Sequence, residues 1–251
     1  MSTLLKSGRI IFAAGIIALA ILCFLSKDFI VGRPPGWQTA THPLLGYVTG
    51  ALLVIAAIAI LLQKKALVAS LLIAILILLL SVFRHIPHFM ADWLNAYKAM
   101  ALFGGALIVA ASFMEDQFNE SSRNVFVLTG AILMAIFFIA AGYAHFKFAG
   151  FVKDFIPAYI PFHGFFTYFC GICLIAGGIG LLIPKIRYWA ALLSGIMIGG
   201  WFLLLHIPRF ANNINDASDR TGLCESFTFA GILFTLAAIF SNNYLPKNSS
   251  N

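Results

Sequence analysis

Charged residues are scarce in this chain. They make up 10% of the 251 residues, and hydrophobic residues make up 61%, whereas about 25% of the residues of a typical soluble domain are charged. A chain of this composition has too few polar side chains to cover a surface in water. The composition therefore excludes a soluble globular domain and predicts an integral membrane protein.

Long polar segments are also missing, because hydrophobic blocks follow one another along the whole chain. Eight blocks come close to the about 20 residues that a helix needs to cross the hydrocarbon layer. They span residues 9–26, 44–62, 66–84, 98–114, 124–145, 164–183, 187–206 and 223–241. Within them hydrophobic residues do not alternate with polar ones, so we predict helices and not a β-barrel. The expected fold class is an all-α, polytopic membrane protein with eight transmembrane helices.

Several functional motifs are absent from the sequence. It has no Gly-rich phosphate-binding loop, no His-Glu-x-x-His and no Gly-x-Ser-x-Gly, which leaves NTPase and hydrolase activity without support. No block carries Asp, Glu, Lys or Arg in its central stretch, and this disfavours ion-coupled transport. The net charge of +7 comes from Lys and Arg spread over nearly every connection, so the expected partner is the lipid bilayer and no nucleic acid is expected.

The chain contains an internal duplication. Shifting the sequence by 121 residues aligns His42 with His163, and it aligns His85-Ile86-Pro87 with His206-Ile207-Pro208. Because each copy has an even number of spans, the two copies are expected to insert in the same orientation, related by an axis along the membrane normal. The predicted units are a first four-helix repeat at residues 1–114, a connecting loop at 115–122 and a second four-helix repeat at 123–251.

The histidines fall on one side of the predicted membrane. Lys and Arg divide equally between the two sides, but the two shortest connections, 63–65 and 184–187, carry only basic charges. Short basic connections dominate orientation, so we expect both termini in the cytoplasm. The opposite, outer side then holds all six histidines, namely His42, His85, His88, His145, His163 and His206.

The repeated His-Ile-Pro element is the most specific local pattern. Proline disfavours helical geometry in the preceding residue, so we expect the third and seventh helices to end near His85 and His206. Each histidine is interpreted either as a helix-end contact or as a group that ligates haem or a metal or exchanges protons with a quinone headgroup. We also expect these two rings to approach the central axis as a pair. The expected polar site on the outer face comprises His42, His85, His145, His163, His206, Arg84 and Arg209.

Cys170 and Cys173 have the spacing of a Cys-x-x-Cys motif. On a helix the two thiols lie on one face, and near a helix start such a pair can act as a redox dithiol. Cysteine is also an ordinary packing residue in apolar helices, and the first repeat has no cysteine at either matching position. A redox pair and simple packing both stay open as interpretations.

Three stretches of the second half resemble a known family. They are Gly142-Tyr143-Ala144-His145-Phe146, Ile156-Pro157-Ala158-Tyr159-Ile160-Pro161 and Leu182-Ile183-Pro184-Lys185-Ile186-Arg187, the last preceded by a Gly-rich helix. With these motifs the chain resembles the DoxX-like membrane proteins. The resemblance implies a compact four-helix unit in a bacterial cytoplasmic (inner) membrane, associated with quinone-linked or periplasmic redox enzymes. The chain departs from the pattern at Cys173, where related proteins are expected to have an acidic residue.

The expected function is therefore that of an accessory protein to a membrane redox system, acting at its outer face with quinone, thiol, haem or a metal centre. Other membrane redox subunits are the expected partners. Two alternatives stay open, namely a non-catalytic scaffold or cargo-binding protein and a passive pathway for a small solute between the repeats. Whether the protein is an enzyme is left open.

Overall fold

The computed structural model describes residues 2–32, 42–114 and 119–241, and all regular structure in these ranges is helical. The first half contains α1 (Thr3–Ser26), α2 (Pro43–Leu61), α3 (Ala66–His85) and α4 (Trp93–Ser112). The second half contains α5 (Glu120–Lys147), α6 (Ala149–Phe155), α7 (His163–Leu182), α8 (Arg187–Trp201), α9 (Ile207–Asn212) and α10 (Ala217–Ser241).

Eight helices in the described ranges are long and apolar enough to cross a membrane. They are α1, α2, α3, α4, α5, α7, the continuous α8–α9 unit and α10. This confirms the all-α, multi-pass prediction. Two helix boundaries differ from the prediction. The helix α5 begins at Glu120, inside the predicted connecting loop, and α10 begins at Ala217 instead of residue 223.

The spanning helices form a closed ring. Each packs against the next along the chain, α10 packs against α1, and α4 and α10 also contact each other across the ring. Consecutive spanning helices run in opposite directions, so the connections after α1, α3, α5 and α9 share one side, which we call the distal side. Within each half, the four spanning helices contact one another in the order in which they follow along the chain. The two-repeat layout stays a prediction.

The seam between α1 and α10 depends on glycine. A Cβ atom at Gly231 would come within 3.0 Å of the backbone of Gly8, Ile11 and Phe12. Close approach of helix backbones through small residues is a common way to pack helices in a membrane, where lipid tails are as apolar as leucine. The absence of a side chain at Gly231 therefore sets the distance between these two helices.

The two His-Ile-Pro elements end differently. The helix α3 ends at His85 and passes into a 3-10 turn, Ile86–His88, as predicted. The prediction for the second copy is wrong, because α8 continues through a π-helical turn, Phe202–His206, directly into α9. Pro208 has no N–H to donate to the carbonyl of Leu204, and the hydroxyl of Tyr159 donates to that carbonyl instead. The freed acceptor is thus satisfied and the helix can go on.

Candidate functional site

Among the residues that the structure describes, three buried carboxylates lie near the distal side, and each forms an ion pair. The relative exposures of Asp28, Asp219 and Glu225 are 0%, 1% and 4%. Asp28 pairs with Arg84, Asp219 pairs with Arg209 at 2.7 Å, and Glu225 pairs with Lys98 at 2.6 Å. Arg84 and Arg209 were assigned to a polar site from the sequence, whereas the carboxylates and Lys98 were not.

The first ion pair fixes a short buried segment after α1. Arg84 donates to the carboxylate of Asp28 and to the backbone carbonyl of Phe29. Residues 28–32 are all buried although they are not helical. At the end of this segment, Gly32 donates its backbone N–H to Glu225 Oε1 at 3.0 Å. The segment therefore closes the distal end of the bundle above Glu225.

The Lys98–Glu225 pair lies further along its two helices than the predicted blocks indicated, because α4 begins at Trp93 and α10 begins at Ala217. Glu225 is the ninth residue of α10, which places it about 12 Å along the helix at about 1.5 Å per residue. The early start of α10 brings it inside the span. Lys98 is also near enough to both His85 and His206 for its charge to act on each ring.

A cavity of ≈ 260 Å³ lies among α5, α6, α7 and α8 at their distal ends. It brings together His145, Cys170 and His206, three residues that were singled out from the sequence. The other lining residues are apolar or aromatic: Phe151, Val152, Phe155, Ile156, Phe166, Leu174, Met197, Ile198, Trp201 and Leu205. A mainly apolar cavity with a few convergent polar groups is the usual form of a small-molecule site.

His145 presents a defined ring nitrogen. Its Nδ1 lies 2.8 Å from the carbonyl oxygen of Ala141, and because a carbonyl only accepts, Nδ1 carries the proton and donates. In the neutral ring Nε2 is then an acceptor. A Cβ at Gly171 would lie 2.9 Å from the Cβ of His145, so glycine at this position of α7 lets the histidine approach closely.

His206 has unused hydrogen-bonding capacity. Its Nδ1 is buried and has no hydrogen-bond partner within the described ranges. The ring meets Phe155 edge-on, with centroids 6.3 Å apart, and a Cβ at Gly222 would lie 3.0 Å from Nδ1. The ring is thus held between α6 and α10, with Nδ1 facing Gly222 and another part of the ring lining the cavity.

The short helix α6 covers the cavity from the distal side. It and the residue that follows contribute Phe151, Val152, Phe155 and Ile156 to the lining. Arg209 holds this cover in place, because its Nη1 donates to the carbonyl of Phe155 at 3.0 Å while its Nε donates to Asp219 at 2.7 Å. Its guanidinium also lies 3.6 Å from the centroid of the Phe155 ring.

The other predicted site residues lie elsewhere. His85 lines a separate cavity between α3 and α4, together with Ser81 and Tyr97. His163 Nε2 lies 3.1 Å from the carbonyl oxygen of Pro157, and His42 is an exposed residue at the start of α2. These histidines therefore do not share the cavity of His145 and His206.

The two cysteines of the Cys-x-x-Cys motif also face different spaces. Cys170 lines the cavity described above, whereas Cys173 lines a groove between α7 and α8 that contains Trp189 and Ser194. Both are free thiols. Across residues 2–32, 42–114 and 119–241, no three His, Cys, Asp or Glu side chains are grouped so that they could hold a metal ion.

One family model matches the chain. Residues 134–221 are similar to a family described as a domain of unknown function, DUF8561. No curated protein and no solved structure matches the chain.

The matched stretch coincides with the cavity. It runs from the middle of α5 to the first turns of α10 and contains every residue that lines the space around His145, Cys170 and His206. It also contains Arg209 and Asp219, which hold α6 over that space. The similarity to DUF8561 therefore covers one complete candidate site, and it does not cover Lys98, Glu225 or the first four spanning helices.

Proposed function

We propose that this membrane protein binds a lipophilic molecule with a planar ring headgroup of the quinone class, as an accessory to a membrane redox system. The observation that carries the proposal is the aromatic cavity in which His145, Cys170 and His206 converge. We also propose that the protein is DoxX-like and lies in a bacterial cytoplasmic membrane with both termini inside. The distal side is then the outer side, where redox partners would act.

The polar groups of the cavity fit such a headgroup. A quinone carbonyl accepts hydrogen bonds, and the hydroxyl of the reduced form donates them. His145 Nε2 is an acceptor in the neutral ring, and the neutral ring of His206, which also lines the cavity, has one donor nitrogen and one acceptor nitrogen. Two imidazoles of this kind can bind either redox form of the ring.

The size and the apolar lining fit as well. A volume of ≈ 260 Å³ is just below the about 300–1,000 Å³ of pockets for drug-sized ligands. It holds a single ring and leaves a longer tail outside. Phe155, Phe166 and Trp201 offer aromatic faces and edges to that ring, which favours a planar headgroup over an aliphatic one. A haem macrocycle needs more space than this cavity offers.

Trp201 provides a direct test, because it lines the cavity and a bound quinone quenches tryptophan fluorescence. The protein would carry Trp201 as its single tryptophan, with Trp37, Trp93 and Trp189 replaced by Phe, and would be titrated with a short-tailed, fully substituted benzoquinone. We expect saturable quenching, and we expect His206→Phe to weaken it because the ring nitrogens are lost. Trp189, which lies outside the cavity and is 53% exposed, is the control.

In the matched single-Trp189 protein the quenching should rise linearly with quinone concentration, as expected for collisions in the lipid phase. The proposal is wrong if Trp201 responds in the same linear way. It is also wrong if saturable quenching at Trp201 is unchanged by His206→Phe, since the ligand would then lie away from this histidine.

A further inference from the structure

A second, larger groove lies on the outside of the helix ring, at the seam between α4 and α5. Its volume is ≈ 640 Å³, and it is lined by Phe89, Met90, Trp93, Tyr97, Ile136, Ile139, Ala140, Tyr143 and Lys147. None of these residues belongs to the cavity of the proposed function. The groove faces the lipid phase, since it lies on the surface of two helices that cross the membrane.

Aromatic rings line the groove near its distal end. Trp93 and Tyr97 of α4 are 6.1 Å apart, Tyr97 and Phe89 are 5.9 Å apart, and Trp93 and Tyr143 of α5 are 6.2 Å apart, measured between ring centroids. These contacts join the two helices by a rigid aromatic layer. Trp and Tyr prefer the depth of the lipid headgroups, so this end of the groove lies at the membrane surface.

The groove is polar at one end and apolar at the other. Lys147 is at its distal end, whereas Ile136 and Ile139 lie deeper along α5. Lys147 is eleven positions after Ile136, which corresponds to about 16 Å of helix. Half of a hydrocarbon core of about 30 Å is about 15 Å, so the groove extends through one leaflet. Its length and polarity match one phospholipid acyl chain below its headgroup.

The charge of Lys147 indicates which headgroup fits. Its ammonium lies 5.9 Å from the centroid of the Tyr143 ring and 5.5 Å from that of Phe148. The rings hold the cation at the top of the groove, and no carboxylate forms a salt bridge with it among the described residues. A phosphate that carries a net negative charge would supply the missing counter-ion.

We propose that the α4–α5 groove binds one anionic phospholipid of the distal leaflet, with an acyl chain along Ile136, Ile139 and Tyr143 and the phosphate at Lys147. A zwitterionic lipid fits the same apolar groove but leaves the cation without a net counter-charge. Selection by charge therefore distinguishes this site from ordinary contact with lipid. An attractive lysine near an anionic headgroup favours that lipid by about fivefold.

The test uses Trp93 as the reporter. The protein with Trp93 as its only tryptophan is placed in phosphatidylcholine nanodiscs that contain a small fraction of brominated lipid, either phosphatidylglycerol or phosphatidylcholine. We expect the brominated anionic lipid to quench Trp93 several-fold more strongly than the brominated zwitterionic lipid at equal mole fraction. Lys147→Gln should abolish the difference. Lys153→Gln, which removes an exposed charge on α6 outside the groove, should leave it unchanged.

A second measurement keeps the test independent of the tryptophan replacements. Native mass spectrometry of the unaltered chain should detect one retained phosphatidylglycerol, and the retained lipid should be lost in Lys147→Gln but kept in Lys153→Gln. Equal quenching by the two brominated lipids would overturn the proposal. Equal loss of the lipid in both variants would also overturn it, because the preference would then come from the general surface charge.

Discussion

The side-chain nitrogen of Lys98 lies 2.6 Å from Glu225 Oε2, and this contact joins α4 and α10 where the two helices meet across the ring. The exposures of the two side chains are 18% and 5%. Gly32 completes the hydrogen bonding of the carboxylate through its backbone N–H. The pair therefore links three parts of the chain that are far apart in the sequence, including both halves.

Removing one member of this pair should destabilise the protein strongly. Lys98→Met or Glu225→Leu leaves the remaining charge buried and unpaired, which typically costs about 3–5 kcal/mol. The double variant should lose less free energy of unfolding than either single variant, because no uncompensated charge remains. Reversible unfolding in mixed micelles measures the difference, and Lys153→Met, at an exposed position, is the control. Equal stability of all four variants would show that the pair contributes nothing.

Two glycine-to-alanine substitutions should differ clearly in their effect on stability. Gly231→Ala places a methyl group against the backbone of α1, which cannot move aside, and overpacking of this kind costs about 1–3 kcal/mol. A Cβ at Gly200 in α8 meets no atom within 4 Å. Gly200→Ala should therefore be neutral or stabilise by up to about 1 kcal/mol through helix propensity. The free energy of unfolding of both variants measures this difference. Similar losses of stability in the two variants would contradict the close packing of α1 and α10.

The sequence predicts the helices well because membrane-spanning helices depend on local properties. The length of an apolar run and the position of a proline are visible in a few neighbouring residues, so the eight spans and the end of α3 at His85 could be predicted. The same triplet at His206 lies within a continuing helix, where Tyr159, 45 residues before Leu204, donates to the Leu204 carbonyl. No local pattern contains that information.

The candidate site could be predicted only in part for the same reason. His145, Cys170 and His206 were identified individually, but their convergence depends on how α5, α7 and α8 pack beneath α6. The buried carboxylates were missed because Asp28, Asp219 and Glu225 are near the predicted helix ends, where charged residues are ordinary. Their burial follows from contacts with Arg84, Arg209 and Lys98, which come from other helices or connections.

The contribution of the Tyr159–Leu204 hydrogen bond to stability should depend on the presence of Pro208. Tyr159→Phe removes the donor, and the loss of one such hydrogen bond costs about 0.5–1.5 kcal/mol. In a Pro208→Ala background residue 208 regains an N–H for the Leu204 carbonyl, so the same substitution should cost less. A double-mutant cycle by unfolding measures this coupling. Additive losses would show that the hydroxyl does not replace the missing backbone donor.

The two thiols of the Cys-x-x-Cys motif should respond differently to a ligand. Cys170 lines the cavity with His145 and His206, whereas Cys173 lines another groove, so a bound headgroup covers only the first thiol. Single-cysteine proteins retaining Cys170 or Cys173 would be labelled with N-ethylmaleimide, with and without a fully substituted benzoquinone that does not add thiols. At about ten times its Kd the ligand should slow labelling of Cys170 roughly tenfold, as expected from simple occupancy. Labelling of Cys173 should not change. If the quinone slows both reactions equally, it acts through the lipid phase or the whole fold. If it slows only the labelling of Cys173, the ligand occupies the groove beside Trp189, and the cavity of His206 is not its site.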